Sequence, residues 1–133
     1  MALDIRPITA TLGAEVRGVD MARVDDGTRD ELRKAWLDHK VLVLRGQHIT
    51  TEEHIAFGRL FGDLEVHPFT DDDGEHPEIV VLHADGENRF VASGWHSDVT
   101  WREEPSMGSI LRGVIIPPAG GDTCFADATA AYD

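Results

Sequence analysis

Cysteine is nearly absent from this sequence, which contains a single residue of that type, Cys124. One cysteine excludes an internal disulfide and cannot by itself form a zinc site, so we expect a small buried residue at this position. Long apolar runs are also absent, since stretches such as 41–44 and 114–116 are much shorter than a bilayer-spanning helix. The first residues lack the apolar block of a signal peptide, and the sequence therefore predicts a cytoplasmic protein.

Basic residues are few: 12 Lys and Arg stand against 25 Asp and Glu, for a formal net charge of -13. This charge repels phosphate backbones and anionic lipid headgroups, so we expect neither a nucleic-acid nor a membrane partner. The balance of 41% hydrophobic and 28% charged residues is typical of a globular chain. Its 133 residues are enough for one domain or part of one, but not for two independent cores.

Hydrophobic spacing and turn residues predict alternating strands and helices in the first half of the chain and strands in the second. The predicted elements, in order, are a short strand around 14–19, a helix at 28–39, a strand at 41–44, a helix at 51–61, and strands at 79–82 and 109–116. Thr28 with Glu31, and Thr50 with Glu53, have the spacing of a capping box at the two helix starts. Gly62 is predicted as the C′ residue of the second helix.

The last residues combine a good helix N-cap, Asp127, with three alanines among the next four positions. The sequence ends soon afterwards, at Asp133. A helix of fewer than about a dozen residues is marginal without tertiary support. The sequence therefore predicts a truncated domain.

His96 and Asp98 are the strongest candidates for metal binding. On a strand, residues two apart point to the same face, so both side chains could bind one ion. One carboxylate and two imidazoles form the facial triad of non-haem iron(II) oxygenases, and two of these three ligands are present here. The alternative is a hydrogen-bonded surface pair. A second His-x-Asp, at His83 and Asp85, runs directly into a turn composition that would not hold two ligands rigidly.

Several motifs of this chain resemble, in their order, the taurine and 2,4-D (TauD/TfdA) family of iron(II)- and 2-oxoglutarate-dependent dioxygenases. They are WHSDVTW at 95–101, PPAGGDT at 117–123 and AAYD at 130–133, with LGAEVRGVD at 12–20, VLVLRG at 41–46 and the stretch 57–62 before them. The resemblance implies a mostly β fold with flanking helices, a double-stranded β-helix (jelly roll) of the clavaminate synthase-like type. Residues 1–133 would be the amino-terminal part of a single such domain.

The resemblance also implies roles for individual residues. His96 and Asp98 would be the first two iron ligands, and Thr123 would hydrogen-bond the distal carboxylate of 2-oxoglutarate, although a strand threonine is the alternative. His67 would bind the acidic group of the substrate, with a structural histidine as the alternative. The family's second iron-binding histidine and its 2-oxoglutarate-binding arginine would lie beyond Asp133.

Two positions depart from the taurine enzyme: Thr70 stands where it has a tyrosine, and Ala92 where it has an asparagine. The resemblance therefore favours another sulfonate, a sulfate ester or an aryloxy acid over taurine as the small organic acid substrate. Iron(II), 2-oxoglutarate and dioxygen would be required, with succinate and carbon dioxide as coproducts.

Two alternatives to this dioxygenase remain open at this point. The chain could be a non-catalytic truncated remnant that lacks a complete iron site, or a jelly-roll metalloprotein that uses another metal, because His and Asp ligands do not select iron uniquely. A homo-oligomer also remains open. The three tryptophans, Trp36, Trp95 and Trp101, are predicted to be packing residues.

Overall fold

The computed structural model describes residues 3–67, 74–84 and 94–132. The chain divides into two units: the first comprises residues 1–62 and 115–133, and the second comprises residues 63–114. Within the described ranges, no helix is both long and apolar enough to cross a membrane.

A three-stranded sheet lies in the first unit. Strands β1 (Asp4–Pro7) and β2 (Ala14–Arg17) pair antiparallel, with Asp4 opposite Arg17. Gly13 precedes β2 with a φ of +86°, a left-handed conformation that glycine adopts without a steric cost, and its carbonyl accepts a 2.8 Å hydrogen bond from Ile8 N–H. The strand around 14–19 was predicted and is confirmed, whereas β1 was not predicted.

Helix α1 (Asp26–His39) connects β2 to β3 (Leu42–Val43), which pairs with β2 in parallel. The helix covers the predicted range, but the predicted capping residue is wrong. Asp25, not Thr28, is the N-cap, and its carboxylate accepts a 2.7 Å hydrogen bond from the backbone N–H of Thr28. An aspartate in this position also interacts favourably with the positive end of the helix dipole.

Helix α2 (Thr51–Arg59) begins with the predicted capping box. Thr50 N–H donates to Glu53 Oε2 at 2.7 Å, and Glu53 N–H donates to Thr50 Oγ1 at 3.2 Å. The predicted C′ position is wrong, because the helix ends earlier than predicted and Leu60 is its C-cap. Helix α3 (Ala128–Tyr132) follows Asp127, as the sequence predicts.

The core of the first unit is small and apolar, and it includes a cluster of five buried side chains: Val16, Met21, Leu32, Ile49 and Phe57. Burial of these side chains drives the packing of the helices onto the sheet. The prediction that Trp36 packs is confirmed, since its ring meets the edge of Phe61 with the centroids 6.4 Å apart.

The second half of the chain departs from the sequence prediction. The stretches 79–82 and 109–116 are not strands in the structure, and helical residues outnumber strand residues within the described ranges, so the predicted mostly β composition is not found there. Apolar β-branched runs form strands only when a neighbouring strand pairs with them. Val114, Ile115 and Ile116 are exposed, which agrees with the absence of strand structure at these positions.

Three further predictions of burial are wrong. Cys124 is exposed, and so are Trp95 and Trp101, at 74% and 60% of their surface. Trp101 instead contacts the guanidinium of Arg102, whose Cζ lies 4.9 Å from the ring centroid.

Candidate functional site

The candidate metal ligands lie in the second unit and not on a strand: Asp98 begins a turn, and His96 precedes that turn by two residues. Residues 98–101 form the turn, in which the backbone N–H of Arg102 donates to the carbonyl of Val99 at 3.1 Å. Val99 has a φ of +56°, which is unusual for a β-branched residue. The strand alternation from which we predicted the pairing of His96 with Asp98 is therefore wrong, but the turn still brings the two side chains together.

The two side chains approach each other through a single pair of atoms. His96 Nε2 lies 3.3 Å from Asp98 Oδ1, and His96 Nδ1 lies 2.9 Å from the carbonyl oxygen of Gly94. A carbonyl oxygen can only accept a hydrogen bond, so Nδ1 carries the proton that joins them. The Nε2 atom therefore faces a carboxylate oxygen, and both atoms are of the kind that bind a divalent metal ion.

The second oxygen of Asp98 has its own partner. Ser109 Oγ donates a hydrogen bond to Asp98 Oδ2 at 3.0 Å, which leaves Oδ1 directed at the imidazole. Sequence reasoning missed Ser109, because a contact across eleven residues leaves no trace in local spacing.

The His96 and Asp98 pair fits two neighbouring positions around a metal ion. Nitrogen and carboxylate ligands lie about 2.0–2.2 Å from a divalent ion such as zinc, so two of them at right angles lie about 3 Å apart. The observed 3.3 Å is close to that separation, and both side chains are more than half exposed, which leaves the remaining positions open. In the part of the chain that the structure describes, no group of three or more His, Cys, Asp or Glu side chains could hold a metal. The pair could therefore supply two ligands of a metal site.

A charged cluster lies at the far end of the turn. Arg102 Nη1 is 2.6 Å from Glu65 Oε1, and the hydroxyl of Ser106 donates to Glu65 Oε2. Both Glu65 and Arg102 are half-buried, so solvent screens this ion pair less than an exposed one. The sequence analysis missed Glu65 as well, although this residue ties the turn to the segment that carries His67.

His67 is half-buried in the second unit, two residues beyond Glu65. Thr123 lies in the first unit and is exposed, between helix α3 and two glycines with positive φ, Gly120 and Gly121. The substrate-binding role of His67 and the 2-oxoglutarate-binding role of Thr123 stay predictions. Three residues of the sequence analysis, Thr70, Ala92 and Asp85, fall outside the described residues.

The segment that follows Thr123 is anchored by Asp127. Its Oδ1 accepts the backbone N–H groups of Thr129 and Ala130 at 3.0 and 3.1 Å, and its Oδ2 lies 3.0 Å from Lys40 Nζ. These contacts, with the hydrogen bond from Lys40 the strongest, hold the pKa of Asp127 below its ordinary value. The ion pair fixes the start of α3 to the residue that ends α1.

Known proteins match this chain along nearly its whole length. It is 38% identical to the (S)-phenoxypropionate/alpha-ketoglutarate-dioxygenase of Sphingobium herbicidovorans, over 99% of this chain and 47% of that enzyme. It is 37% identical to the alpha-ketoglutarate-dependent sulfate ester dioxygenase of Pseudomonas putida, over 99% of this chain and 44% of that enzyme.

A solved structure is also similar to this chain. The crystal structure of a taurine dioxygenase from Burkholderia xenovorans superposes with a TM-score of 0.78 at 39% identity, and the match covers 90% of this chain and 43% of that one. The chain thus spans about half the length of the relatives that it matches. The family described as "Taurine catabolism dioxygenase TauD, TfdA family" matches residues 4–133. The chain therefore belongs to the TauD/TfdA family of dioxygenases.

Proposed function

We propose that this chain supplies part of the active site of an iron(II)- and 2-oxoglutarate-dependent dioxygenase that oxidises a small organic acid. The observation that carries the proposal is the pair of ligand atoms, His96 Nε2 and Asp98 Oδ1, which face each other at 3.3 Å while their other polar atoms are held by Gly94 and Ser109. Iron(II) bound with 2-oxoglutarate would supply the oxidation of the substrate by dioxygen, with succinate and carbon dioxide as coproducts.

Each of the chain's own residues has a limited part in this reaction. His96 and Asp98 would hold the metal through one nitrogen and one oxygen, and their open side would admit the cosubstrate. Thr123 would donate its hydroxyl to the distal carboxylate of 2-oxoglutarate, next to a glycine turn that lets backbone pass closely. His67 would donate a hydrogen bond to the acidic group of the substrate.

The substrate class follows from the relatives. One acts on phenoxypropionate and another on sulfate esters, and each of these substrates combines an organic body with an anionic group. A half-buried imidazole such as His67 suits a sulfate, a sulfonate or a carboxylate equally well, because all three accept hydrogen bonds through negatively charged oxygens. We therefore propose a sulfonate, a sulfate ester or an aryloxy acid as the substrate.

A proposal about the fold accompanies the proposal about the function. We propose that residues 1–133 are the amino-terminal part of one dioxygenase domain whose fold is a jelly roll. The TM-score of 0.78 to a taurine dioxygenase supports this, and so do the exposed apolar residues 114–116, which suit a strand that pairs within a larger sheet.

A non-catalytic chain is the second candidate function. Two observations favour it: the His96 and Asp98 side chains are exposed, as in an ordinary surface ion pair, and the described residues offer no third metal ligand beside them. In that case the two side chains would form a surface pair that binds no metal ion.

Anaerobic titration with iron(II) and 2-oxoglutarate separates the two candidates. The measurement is the metal-to-ligand charge-transfer absorption of the wild-type chain and of His96→Ala. His83→Ala is the matched control, because it removes a histidine from the other His-x-Asp of the same chain. We expect a band in the wild type and in His83→Ala that His96→Ala abolishes. Absence of a band in the wild type would favour the non-catalytic chain, and loss of the band only in His83→Ala would place the site elsewhere.

A further inference from the structure

We propose that Ser109 is a positioning residue, which holds the carboxylate of Asp98 in the orientation that binds the metal. This inference rests on the proposed function. Ser109 Oγ lies 3.0 Å from Asp98 Oδ2, and the opposite oxygen, Oδ1, lies 3.3 Å from His96 Nε2. One oxygen of the carboxylate is thus engaged by a donor, while the other is presented to the ion.

The carboxylate needs such a donor because little else restrains it. The terminal torsion of an aspartate has a broad, roughly two-fold distribution, so an unrestrained carboxylate turns easily. Asp98 is also 57% exposed, and surrounding side chains do not enclose it. A hydroxyl that donates to a charged oxygen makes a charge-assisted hydrogen bond, which is stronger than a neutral one and fixes that torsion.

The two ligands are held in the same way. The carbonyl of Gly94 accepts from His96 Nδ1 at 2.9 Å and fixes the imidazole, just as the Ser109 hydroxyl fixes the carboxylate. Each candidate ligand therefore has one polar atom held by another part of the protein and one that faces the other candidate ligand. Partners of this kind orient metal ligands, and their loss typically weakens metal binding by about 10- to 100-fold.

A purely structural role explains this contact less well. Ser109 and Asp98 are both exposed, so their hydrogen bond sets the torsion of the carboxylate but contributes little to the free energy of unfolding. The contact also joins two segments that lack regular secondary structure at these positions. Its clearest consequence is the direction in which Asp98 Oδ1 points.

The test measures metal affinity in the full chain, with manganese(II) followed by electron paramagnetic resonance and iron(II) with 2-oxoglutarate followed by charge-transfer absorption. Ser109→Ala removes the donor, and we expect about 10- to 100-fold weaker binding of both ions. Ser109→Thr keeps the hydroxyl and should bind close to the wild type. Thr129→Ala, which deletes an exposed hydroxyl in the first unit, should leave the affinity unchanged.

Two variants of nearly the same shape separate loss of the hydroxyl from misfolding. Thr and Val have almost the same shape, so Ser109→Thr and Ser109→Val should fold alike, and only the valine variant should bind metal weakly. Equal affinities in these two variants, beside a wild type that binds both ions, would overturn the role of Ser109 and leave the proposed function standing. A wild type that binds neither ion would overturn both.

Discussion

Replacement of Leu32 by alanine tests the core that supports the first unit. Leu32 lies on α1 and is 1% exposed, and it belongs to the buried cluster with Val16 and Phe57. The change removes roughly three methylene equivalents at about 0.8 kcal/mol each, and the cavity left behind adds to this loss. Buried Leu→Ala replacements cost about 2–5 kcal/mol, and we expect about 3 kcal/mol here. Because small domains are stable by only about 5–15 kcal/mol, this is a large fraction of the total.

The assay is urea unfolding at neutral pH, followed by far-UV circular dichroism. Leu37→Ala is the matched control, because Leu37 lies on the same helix but is 66% exposed. Both replacements change helix propensity identically, so the difference between them isolates burial. The control should shift the free energy of unfolding by no more than about 0.5 kcal/mol. Equal losses in the two variants, or a loss below about 1 kcal/mol for Leu32→Ala, would refute this account of the core.

Two further predictions concern the helix ends. Thr50→Ala removes the acceptor of the α2 capping box and should lower the free energy of unfolding by about 1 kcal/mol in the same urea assay. The control, Thr51→Ala, changes the next residue, inside the helix, and should lower this free energy less. Asp127→Asn keeps an acceptor for the start of α3 but loses the ion pair with Lys40. The pKa of Asp127 is lowered in the folded chain, so its contribution to stability is present above the ordinary aspartate pKa of about 3.9 and is lost as the pH falls through the lower folded value. Unfolding followed from pH 7 to pH 2 should therefore show wild type and variant converging at the acid end, and a constant difference would contradict the assignment.

Local interactions explain which elements could be predicted from the sequence. The capping box of Thr50 and Glu53 involves residues three apart, so its residue types alone identify it, and both hydrogen bonds are present. At α1 the same spacing rule selected Thr28, because Glu31 lies three residues after it. Asp25 instead accepts the N–H of Thr28, and the helix begins two residues earlier than predicted.

Non-local contacts explain the failures. The stretches 79–82 and 109–116 have strand-like composition, but a strand forms only where another strand pairs with it, and that pairing is not encoded in the stretch itself. The burial predicted for Trp95 and Cys124 failed for the same reason, since residue type sets a preference for burial and not the neighbours that achieve it.

The candidate site includes residues that local spacing could predict and residues that only non-local contacts reveal. His96 and Asp98 were found from their spacing and the family resemblance, but the expected strand geometry was wrong, and a turn brings them together. Ser109 and Glu65 were missed because they are distant along the sequence from the residues that they contact. Spacing identified the candidate ligands, whereas the residues that contact them became visible only in the structure.

The turn beside the two candidate ligands is held by contacts that do not involve His96 Nε2 or Asp98 Oδ1. A left-handed conformation at Val99 costs about 1–2 kcal/mol, and an exposed pair such as His96 and Asp98 contributes at most about 1 kcal/mol in return. The pair alone therefore cannot maintain the turn. Arg102 can, because its backbone N–H closes the turn on the Val99 carbonyl while its guanidinium contacts the half-buried carboxylate of Glu65 at 2.6 Å. Arg102 thus orders the segment around the two candidate ligands, and a site ordered in this way would bind a metal with a smaller free-energy cost of ordering.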